Sequence, residues 1–147
     1  MPIKDSGNRT EFSTGAVRDI QEGKGRCDLM PLDVVGHLLD DTIINDIHRF
    51  QETNNPTWLY EALYDCEFFD DLTDMVLETS VHFEEGAKKY GENNWQKGIP
   101  VERYIDSAVR HYLKHCRGDE DERHDRAFVW NIMCAIWELK HHGGVDA

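Results

Sequence analysis

Carboxylates, histidines and cations recur at helical spacing between residues 82 and 131. Three stretches carry them: HFEEGAKKYGENNW, RYIDSAVRHYLKH and GDEDERHDRAFVWN. Side chains three and four residues apart share a helix face, so each stretch predicts a helix with its polar groups gathered along one side. If such helices pack antiparallel, their carboxylates converge. Hard oxygen ligands of this kind suit Mg²⁺ or Mn²⁺, which keep open positions for phosphate oxygens and water.

Three carboxylates are the first candidates for a metal cage. Glu84 lies at the margin of an apolar helix face, and Asp121 and Asp125 continue the apolar face of the last helix. A carboxylate buried beside a core needs a partner, because burying it bare is costly. A polyphosphate bound to such a cage would need cations or donors, for which the candidates are Lys88, Arg110 and His111.

Simpler interpretations exist for two of these groups. Glu84 and Lys88 are four residues apart and predict an exposed ion pair, and Asp106 and Arg110, at the same spacing, predict an intrahelical ion pair. The last helix is harder to explain by solvation. It carries four polar residues on its core side, namely Asp121, His124, Asp125 and Asn131.

The elements that must position these groups are helices. Apolar periodicity predicts them over 33–50, 57–64, 69–90, 101–116 and from about 121 onward. The sequence therefore predicts an all-α, single-domain bundle of about five helices over residues 32–147, preceded by an irregular arm over 1–31. The last helix is apolar nearly all round, which indicates a central helix or a subunit interface, and we expect a homo-oligomer, either a dimer or a tetramer.

The N-terminal arm is rich in glycine and carries three cations within nine residues, Arg18, Lys24 and Arg26. One interpretation is a loose tail with at most one short turn of structure. The other is a strap that packs on the active site and brings its cations to a phosphate.

Composition excludes several classes of protein. The net charge of −13 argues against binding a nucleic acid polymer, which requires a basic face. The four cysteines are widely spaced and form no CxxC pair, so neither a disulfide framework nor a zinc site is expected. No signal peptide or membrane-length apolar run is visible, and we expect a cytoplasmic protein. The GxSxG, Walker A and HExxH motifs are also missing from the sequence.

Four segments together resemble a known family. They are GAVRDIQEGKGRCDLMPLDVV, HFEEGAKKYGENNWQKGIP, YIDSAVRHYLKH and DERHDRAFVWN. They are similar to the phage and bacterial dATP/dGTP diphosphohydrolases of the MazZ type, which are related in activity to the all-α MazG-like nucleotide pyrophosphohydrolases. The resemblance covers the arm and residues 82–131, and residues 40–78 read as a lineage-specific helical insertion.

The resemblance implies hydrolysis of a purine deoxynucleoside triphosphate, dGTP or dATP, between the α- and β-phosphates. The products are the monophosphate and pyrophosphate, and in phages with modified adenine the dGTP reaction feeds synthesis of 2-aminoadenine nucleotides. The MazG-like pattern is EExxE followed by ExxD. This chain departs from it, because Glu84 and Glu85 are followed by Lys88. Glu122 and Asp125 fit ExxD, whereas the helix face favours Asp121, so the ligand set stays open between Asp121 and Glu122.

The resemblance also implies roles for individual residues. A divalent metal, Mg²⁺ or Mn²⁺ with Co²⁺ as a further candidate, would be held by Glu84, Asp106, Asp121 and Asp125. Asp106 could instead orient a ligand. Catalysis would involve Glu85, which could also ligate the metal, and His124, which is either a partner of a ligand or a proton carrier. The substrate would be bound by Arg18, Lys24, Arg26, Lys88, Asn94, Trp95, Arg110 and His111, with Trp95 equally well explained as a core anchor.

Two other functions remain open at this point. The dipeptide His124-Asp125 resembles that of HD-type phosphohydrolases. A helical adaptor that binds a protein through Trp130 and Trp137 is the second alternative, and it predicts no metal-dependent nucleotide turnover.

Overall fold

The last helix, α6 (His124–His142), lies at the centre of the fold in the computed structural model, which describes residues 3–143. Twelve of its nineteen residues are buried, so neighbouring helices must cover several of its faces. Helices α3 (Thr57–Tyr64), α4 (Leu72–Tyr90) and α5 (Val101–Arg117) pack on it. Helices α1 (Leu32–Leu39) and α2 (Thr42–Thr53) pack on each other, and α2 packs on α3. The all-α prediction is confirmed.

The predicted helix over 33–50 is two helices rather than one. Asp40 takes a left-handed conformation with φ of 49° and ends α1. Asp41 then caps α2 by accepting a hydrogen bond from the Ile44 amide at 2.9 Å, and it also accepts the Tyr112 hydroxyl at 2.5 Å. Aspartate favours such capping positions over helix interiors, and two in succession break the helix.

Helix α4 buries a different face from the one that its apolar residues predict. Asp71 caps its start, and Gly91, with φ of 92°, ends it. Leu72 and Val76 lie on the apolar face that carries Glu84 at its margin, yet both side chains are about half exposed (49% and 55%). Met75, Thr79 and His82 are buried instead, and the His82 ring lies 5.4 Å from that of Trp130 on α6. Apolar residues occur on two sides of α4, so the position of α6 decides which side is buried.

The arm contains more regular structure than its glycines predict. Strands β1 (Arg9–Glu11) and β2 (Val17–Asp19) form an antiparallel pair with Arg9 opposite Asp19, and a short 3-10 turn follows at Cys27–Leu29. Asn94 extends this pairing, because its side chain donates to the Val17 carbonyl at 2.7 Å and accepts from the Val17 amide at 2.8 Å. The arm is thereby attached to the loop between α4 and α5.

The apolar surface of α6 is covered by the chain itself. Cys134 and Trp130 are buried, and the Trp137 ring packs against Trp95 at 5.0 Å. Met133, Trp137 and Leu139 are only partly buried, and the homo-oligomer stays a prediction. Large apolar side chains are exposed elsewhere, as Leu38 on α1 (79%) and Leu77 on α4 (65%) show.

The helices described over residues 3–143 include none with the length and apolar character needed to cross a bilayer.

Candidate functional site

A polar cavity of about 340 Å³ lies between the arm and helices α4, α5 and α6. Its longest wall is one stripe of α5, formed by Arg103, Asp106, Ser107, Arg110, His111 and Lys114. Helix α4 contributes His82, Gly86, Lys89 and Tyr90, and α6 contributes Trp130 and Asn131. The α5 stripe runs for about 16 Å at 1.5 Å per residue, so the cavity can take a ligand with several charged groups in a row.

The charge of the cavity is opposite to that of the chain. Seven cationic residues line it, namely Lys4, Arg18, Lys24, Lys89, Arg103, Arg110 and Lys114. The acidic residues number five, namely Asp5, Asp19, Asp106, Asp121 and Glu122. A local excess of cations in a chain of net charge −13 indicates a site for an anion.

Asp106 holds the arm against α5. It is 1% exposed, and its carboxylate accepts from the Cys27 amide at 2.6 Å, from Gln21 Nε2 at 2.9 Å and from Arg110 Nη1 at 2.9 Å. Burial alone would raise the pKa of Asp106, but the hydrogen bonds from Gln21 and Arg110 hold it below its usual value. The carboxylate that was predicted to bind a metal or orient a ligand therefore orients Arg110 and fastens the arm.

A cluster of histidines and carboxylates occupies the junction between α5 and α6. Gly118, with φ of 90°, ends α5, and the chain turns back so that its acidic loop lies beside the first residue of α6. His124 Nδ1 lies 2.8 Å from His111 Nδ1, and His124 Nε2 lies 2.7 Å from Asp121 Oδ1. Burial and the nearby His124 hold the pKa of His111 well below its usual value.

Two overlapping sets in this cluster have the geometry of a metal site. One is His111, Glu122 and His124, and the other is Asp119, Asp121 and His124. In each set the candidate ligand atoms all lie within 4.8 Å of one another.

Lys4 of the arm reaches the acidic side of this cluster. Its Nζ lies 2.8 Å from Asp121 Oδ2, and its backbone amide donates to Glu122 Oε1 at 2.9 Å. Hydrogen bonds from Lys4 and His124 hold the pKa of Asp121 well below its usual value. An ammonium group therefore neutralises carboxylates that could otherwise bind a metal ion.

The predicted cage of Glu84, Asp121 and Asp125 is not assembled. Glu84 is exposed and lies 3.9 Å from Lys88, as the simpler interpretation of the sequence had it. Two residues along a helix turn by about 200°, so Glu84 points away from the cavity that His82 lines. Asp125 is buried, but Arg123 engages both its oxygens, at 3.0 Å and 2.9 Å, and the Arg126 amide donates to it at 2.8 Å.

Glu85 lies outside the cavity and outside both candidate metal sets of the described chain. The pairing of Asp125 with Arg123 also removes the basis for an HD-type site, because Asp125 and His124 do not face a common ligand.

The predicted substrate residues divide into two groups. Arg18, Lys24, Asn94, Arg110 and His111 line the cavity. Lys88, Arg26 and Trp95 do not: Arg26 pairs with Asp28 at 2.8 Å, and Trp95 packs against Phe83 and Trp137. Trp95 therefore packs as a core anchor would, and its part-exposed ring also lines a second cavity beside Tyr90. With Trp130 buried and Trp137 packed on Trp95, the surface that an adaptor would use is largely covered.

Several residues of the site were missed by reasoning from the sequence. His82 is the clearest case, since burial lowers its pKa to about 4 and it therefore stays neutral at pH 7. One sequence pattern does indicate His82 as a residue of the site. His82, Gly86, Lys89 and Tyr90 are spaced so that they share one helix face, with a glycine in the middle. A Cβ placed on Gly86 would meet no atom within 4 Å, so this face opens onto free space.

Arg103 was missed as well. It donates to the Asp19 carbonyl at 3.2 Å and lies over the Phe12 ring. Arg103 therefore holds the end of β2 and also lines the cavity.

Comparison with known proteins adds an independent observation. A family model described as "dATP/dGTP diphosphohydrolase, N-terminal" matches residues 61–147, more than half of the chain. Neither the curated proteins nor the solved structures compared with the chain include a match. The match begins in α3 and continues through α4, α5 and α6, so it includes residues 61–78, which the sequence predicted to lie in an insertion. The chain belongs to the dATP/dGTP diphosphohydrolase family and is an enzyme of that class.

Proposed function

We propose that the cavity beneath the arm is the active site, where a purine deoxynucleoside triphosphate is hydrolysed between its α- and β-phosphates. The proposal rests mainly on the charge of the cavity, which is opposite in sign to the net charge of the chain. Seven cations line a cavity that has a histidine–carboxylate cluster at one end, in a chain of net charge −13. A triphosphate needs both the cations and, at an acidic enzyme, a metal to bridge carboxylates to phosphate oxygens.

The donor set fits a divalent transition metal. We propose His111, His124, Asp121 and Glu122 as the candidate ligands, in place of the carboxylate cage that the sequence predicted. Imidazole nitrogen together with carboxylate oxygen suits Mn²⁺ or Co²⁺ better than Mg²⁺, which prefers oxygen ligands. A metal bound here would neutralise phosphate charge and lower the pKa of a bound water.

The cations of the chain have a separate role. Arg110 lies next to His111 on α5, and Asp106 fixes its guanidinium at 2.9 Å, so Arg110 needs little rearrangement to meet a phosphate. Lys24, Lys89, Arg103 and Lys114 surround the same space. Fixed cations of this kind stabilise the charge that develops on the leaving pyrophosphate.

Further parts of the proposal concern the setting of the enzyme. We place it in the cytoplasm, where deoxynucleotides are made, and in the host's cytoplasm if the gene is phage-borne. There the monophosphate product could enter synthesis of 2-aminoadenine nucleotides. Exposed Leu38 and Leu77 support a homo-oligomer, since large apolar side chains at a surface are candidates for a contact with a second copy.

The experiment is a panel of deoxy- and ribonucleoside triphosphates with Mg²⁺, Mn²⁺ or Co²⁺, in which pyrophosphate release is resolved from phosphate release. The proposal predicts monophosphate and pyrophosphate in a 1:1 ratio from purine deoxynucleotides, with Mn²⁺ or Co²⁺ at least as effective as Mg²⁺. Release of single phosphates or of intact triphosphate would contradict it.

A further inference from the structure

One edge of strand β2 has no strand beside it in the part of the chain that the structure describes. On its other side β2 pairs with β1, where Thr10 lies opposite Arg18. Successive residues of an antiparallel strand direct their backbone groups to opposite edges, and Val17 and Asp19 direct theirs away from β1. Backbone N–H and C=O groups at such an edge need partners, because leaving them unpaired away from water is costly.

Side chains from the facing wall of the cavity supply these partners. Asn94 engages both backbone groups of Val17, since its Nδ2 donates to the Val17 carbonyl at 2.7 Å and its Oδ1 accepts from the Val17 amide at 2.8 Å. Two residues further on, the Tyr90 hydroxyl accepts from the Asp19 amide at 3.0 Å. Arg103 donates to the Asp19 carbonyl at 3.2 Å. Side chains of α4, α5 and the loop between them therefore take the place of a third strand.

The residue between these two attachment points is Arg18, whose side chain reaches the floor of the cavity. Its Cζ lies 5.1 Å from the ring centroid of Tyr104 and 5.6 Å from that of Trp130, and its Nη2 donates to Asn131 Oδ1 at 3.1 Å. Its Nη1 is buried and has no acceptor among residues 3–143, so this donor is available to a ligand of the cavity. Fixing the backbone on both sides of Arg18 restricts where its guanidinium can lie.

We propose that Asn94 is a positioning residue of the enzyme, which completes the edge of β2 and thereby holds Arg18 where its guanidinium meets the substrate. This inference rests on the proposed function and adds to it a residue that acts through another. Asn94 lines the cavity, but it is only 5% exposed and both ends of its amide are engaged by Val17. A carboxamide suits this position because it offers a donor and an acceptor side by side, as the backbone of a neighbouring strand would.

The test is a double-mutant cycle on kcat/KM with dGTP and Mn²⁺. Arg18→Ala should lower kcat/KM by about tenfold or more, the scale for losing a hydrogen bond to a charged group. Asn94→Ala should lower it by a factor no larger than that. In the Arg18→Ala background, Asn94→Ala should cause a further loss of less than about twofold, because no guanidinium remains to be positioned. Losses that multiply would show that Asn94 acts independently of Arg18 and would overturn the proposal.

Tyr90→Phe gives a second, independent cycle. It keeps the ring and removes only the hydroxyl that accepts from the Asp19 amide, so its loss of kcat/KM should also disappear in the Arg18→Ala background. This cycle decides the proposal if Asn94→Ala does not fold. The matched control is Gln96→Ala, at an exposed carboxamide of the same loop outside the cavity. It should stay within about twofold of the wild type, and a loss equal to that of Asn94→Ala would overturn the specific role of Asn94.

Amide hydrogen exchange separates the failure of this inference from the failure of the proposed function. Asn94→Ala should speed exchange at the Val17 amide by about three- to tenfold, the scale for one hydrogen bond, and Gln96→Ala should leave it unchanged. Unchanged exchange at Val17 in Asn94→Ala would overturn the positioning role even if triphosphates are hydrolysed as proposed. If the wild type hydrolyses none, the proposed function fails. The cycle is then measured on calorimetric binding of dGTP, where multiplied losses of affinity, or no binding by the wild type, would overturn the inference as well.

Discussion

His111 Nδ1 and His124 Nδ1 lie 2.8 Å apart and join the middle of α5 to the first residue of α6. The acidic loop between these helices closes the same cluster, since Asp121 and Glu122 bring their carboxylates to it. The candidate metal centre is therefore a feature of one helix–loop–helix junction. Carboxylates spread over separate helices are not needed to build it.

Lys4 occupies the acidic side of this junction and should compete with a metal ion. We expect Lys4→Ala to tighten Mn²⁺ binding to the free protein by about two- to fivefold, because the pair with Asp121 is partly exposed and such pairs contribute little. Calorimetric titration measures this, and Lys97→Ala, at an exposed lysine outside the cavity, is the matched control. Unchanged or weaker binding in Lys4→Ala would show that Lys4 does not block the ligands.

The arm offers a matched pair of cations for testing contact with phosphate. Lys24 lines the cavity and pairs there with Asp19 at 2.8 Å, whereas Arg26 pairs with Asp28 outside it. We expect Lys24→Ala to raise KM by about tenfold or more, since a hydrogen bond to a charged group contributes about 1.5–3 kcal/mol. Arg26→Ala should change KM by less than about twofold, as expected for a residue that does not line the cavity. Steady-state kinetics measures KM for both variants. Equal changes in KM would mean that the arm does not reach the substrate through Lys24.

Asp106 should anchor the arm. Removing its charge weakens the bonds from Gln21 and the Cys27 amide and leaves Arg110 without its ion pair. We expect Asp106→Asn to lower the free energy of unfolding by about 3–5 kcal/mol, the scale for breaking a buried charged pair. Limited trypsinolysis should then cut after Lys24 sooner than in the wild type. Equal resistance of the arm in both proteins would refute the anchoring role.

Asp46 on α2 predicts an unusual dependence of stability on pH. It is 4% exposed, and burial, followed by the neighbouring Asp65 and Glu61 with only Arg49 opposing them, raises its pKa from 3.8 to about 7. The folded state therefore binds the proton more tightly than the unfolded state. The neutral Asp46 side chain therefore contributes fully to the stability of the folded state below about pH 4. This contribution is lost as the pH rises to about 7.

Replacing Asp46 tests this directly. Asp46→Asn should be more stable than the wild type at pH 8, by about 1–3 kcal/mol, the cost of a buried unpaired polar group. The difference should shrink at pH 4, where both side chains are neutral. Urea denaturation at the two pH values measures it. A variant that is less stable at pH 8 would contradict the burial of a charged carboxylate beside Asp65 and Glu61.

The helical fold could be predicted because apolar spacing and terminating residues agree along much of the chain. Thr57–Tyr64 is as predicted, and Gly91 and Gly118 end their helices as C-terminal glycines do. The rotation of α4 could not be predicted. Its buried stripe contains Thr79 and His82, which are polar, and the His82 ring packs against Trp130 of another helix.

The candidate site was predicted in part, for a physical reason that lies in tertiary contacts. Asp121 and His124 were recognised as polar groups on the core-facing side of the last helix, and His111 as a donor for a phosphate, and the three do meet. Asp125 looked equivalent on the helix face, yet the side chain of Arg123 folds back onto it. Lys4 pairs with Asp121, which lies 117 residues away along the chain. A local sequence pattern cannot predict a contact between residues so far apart.

The central claim is that the junction of α5 and α6 is the catalytic metal site. Its most direct measurement is kcat/KM with dGTP and Mn²⁺ for Asp121→Asn, a partly exposed position where the fold should tolerate the change. Asp70→Asn, at an exposed aspartate outside the cavity, is the matched control. We predict a loss on the order of 10–100-fold or more in Asp121→Asn, together with weaker Mn²⁺ binding, and wild-type values in Asp70→Asn. Wild-type kcat/KM and Mn²⁺ affinity in Asp121→Asn would contradict the account.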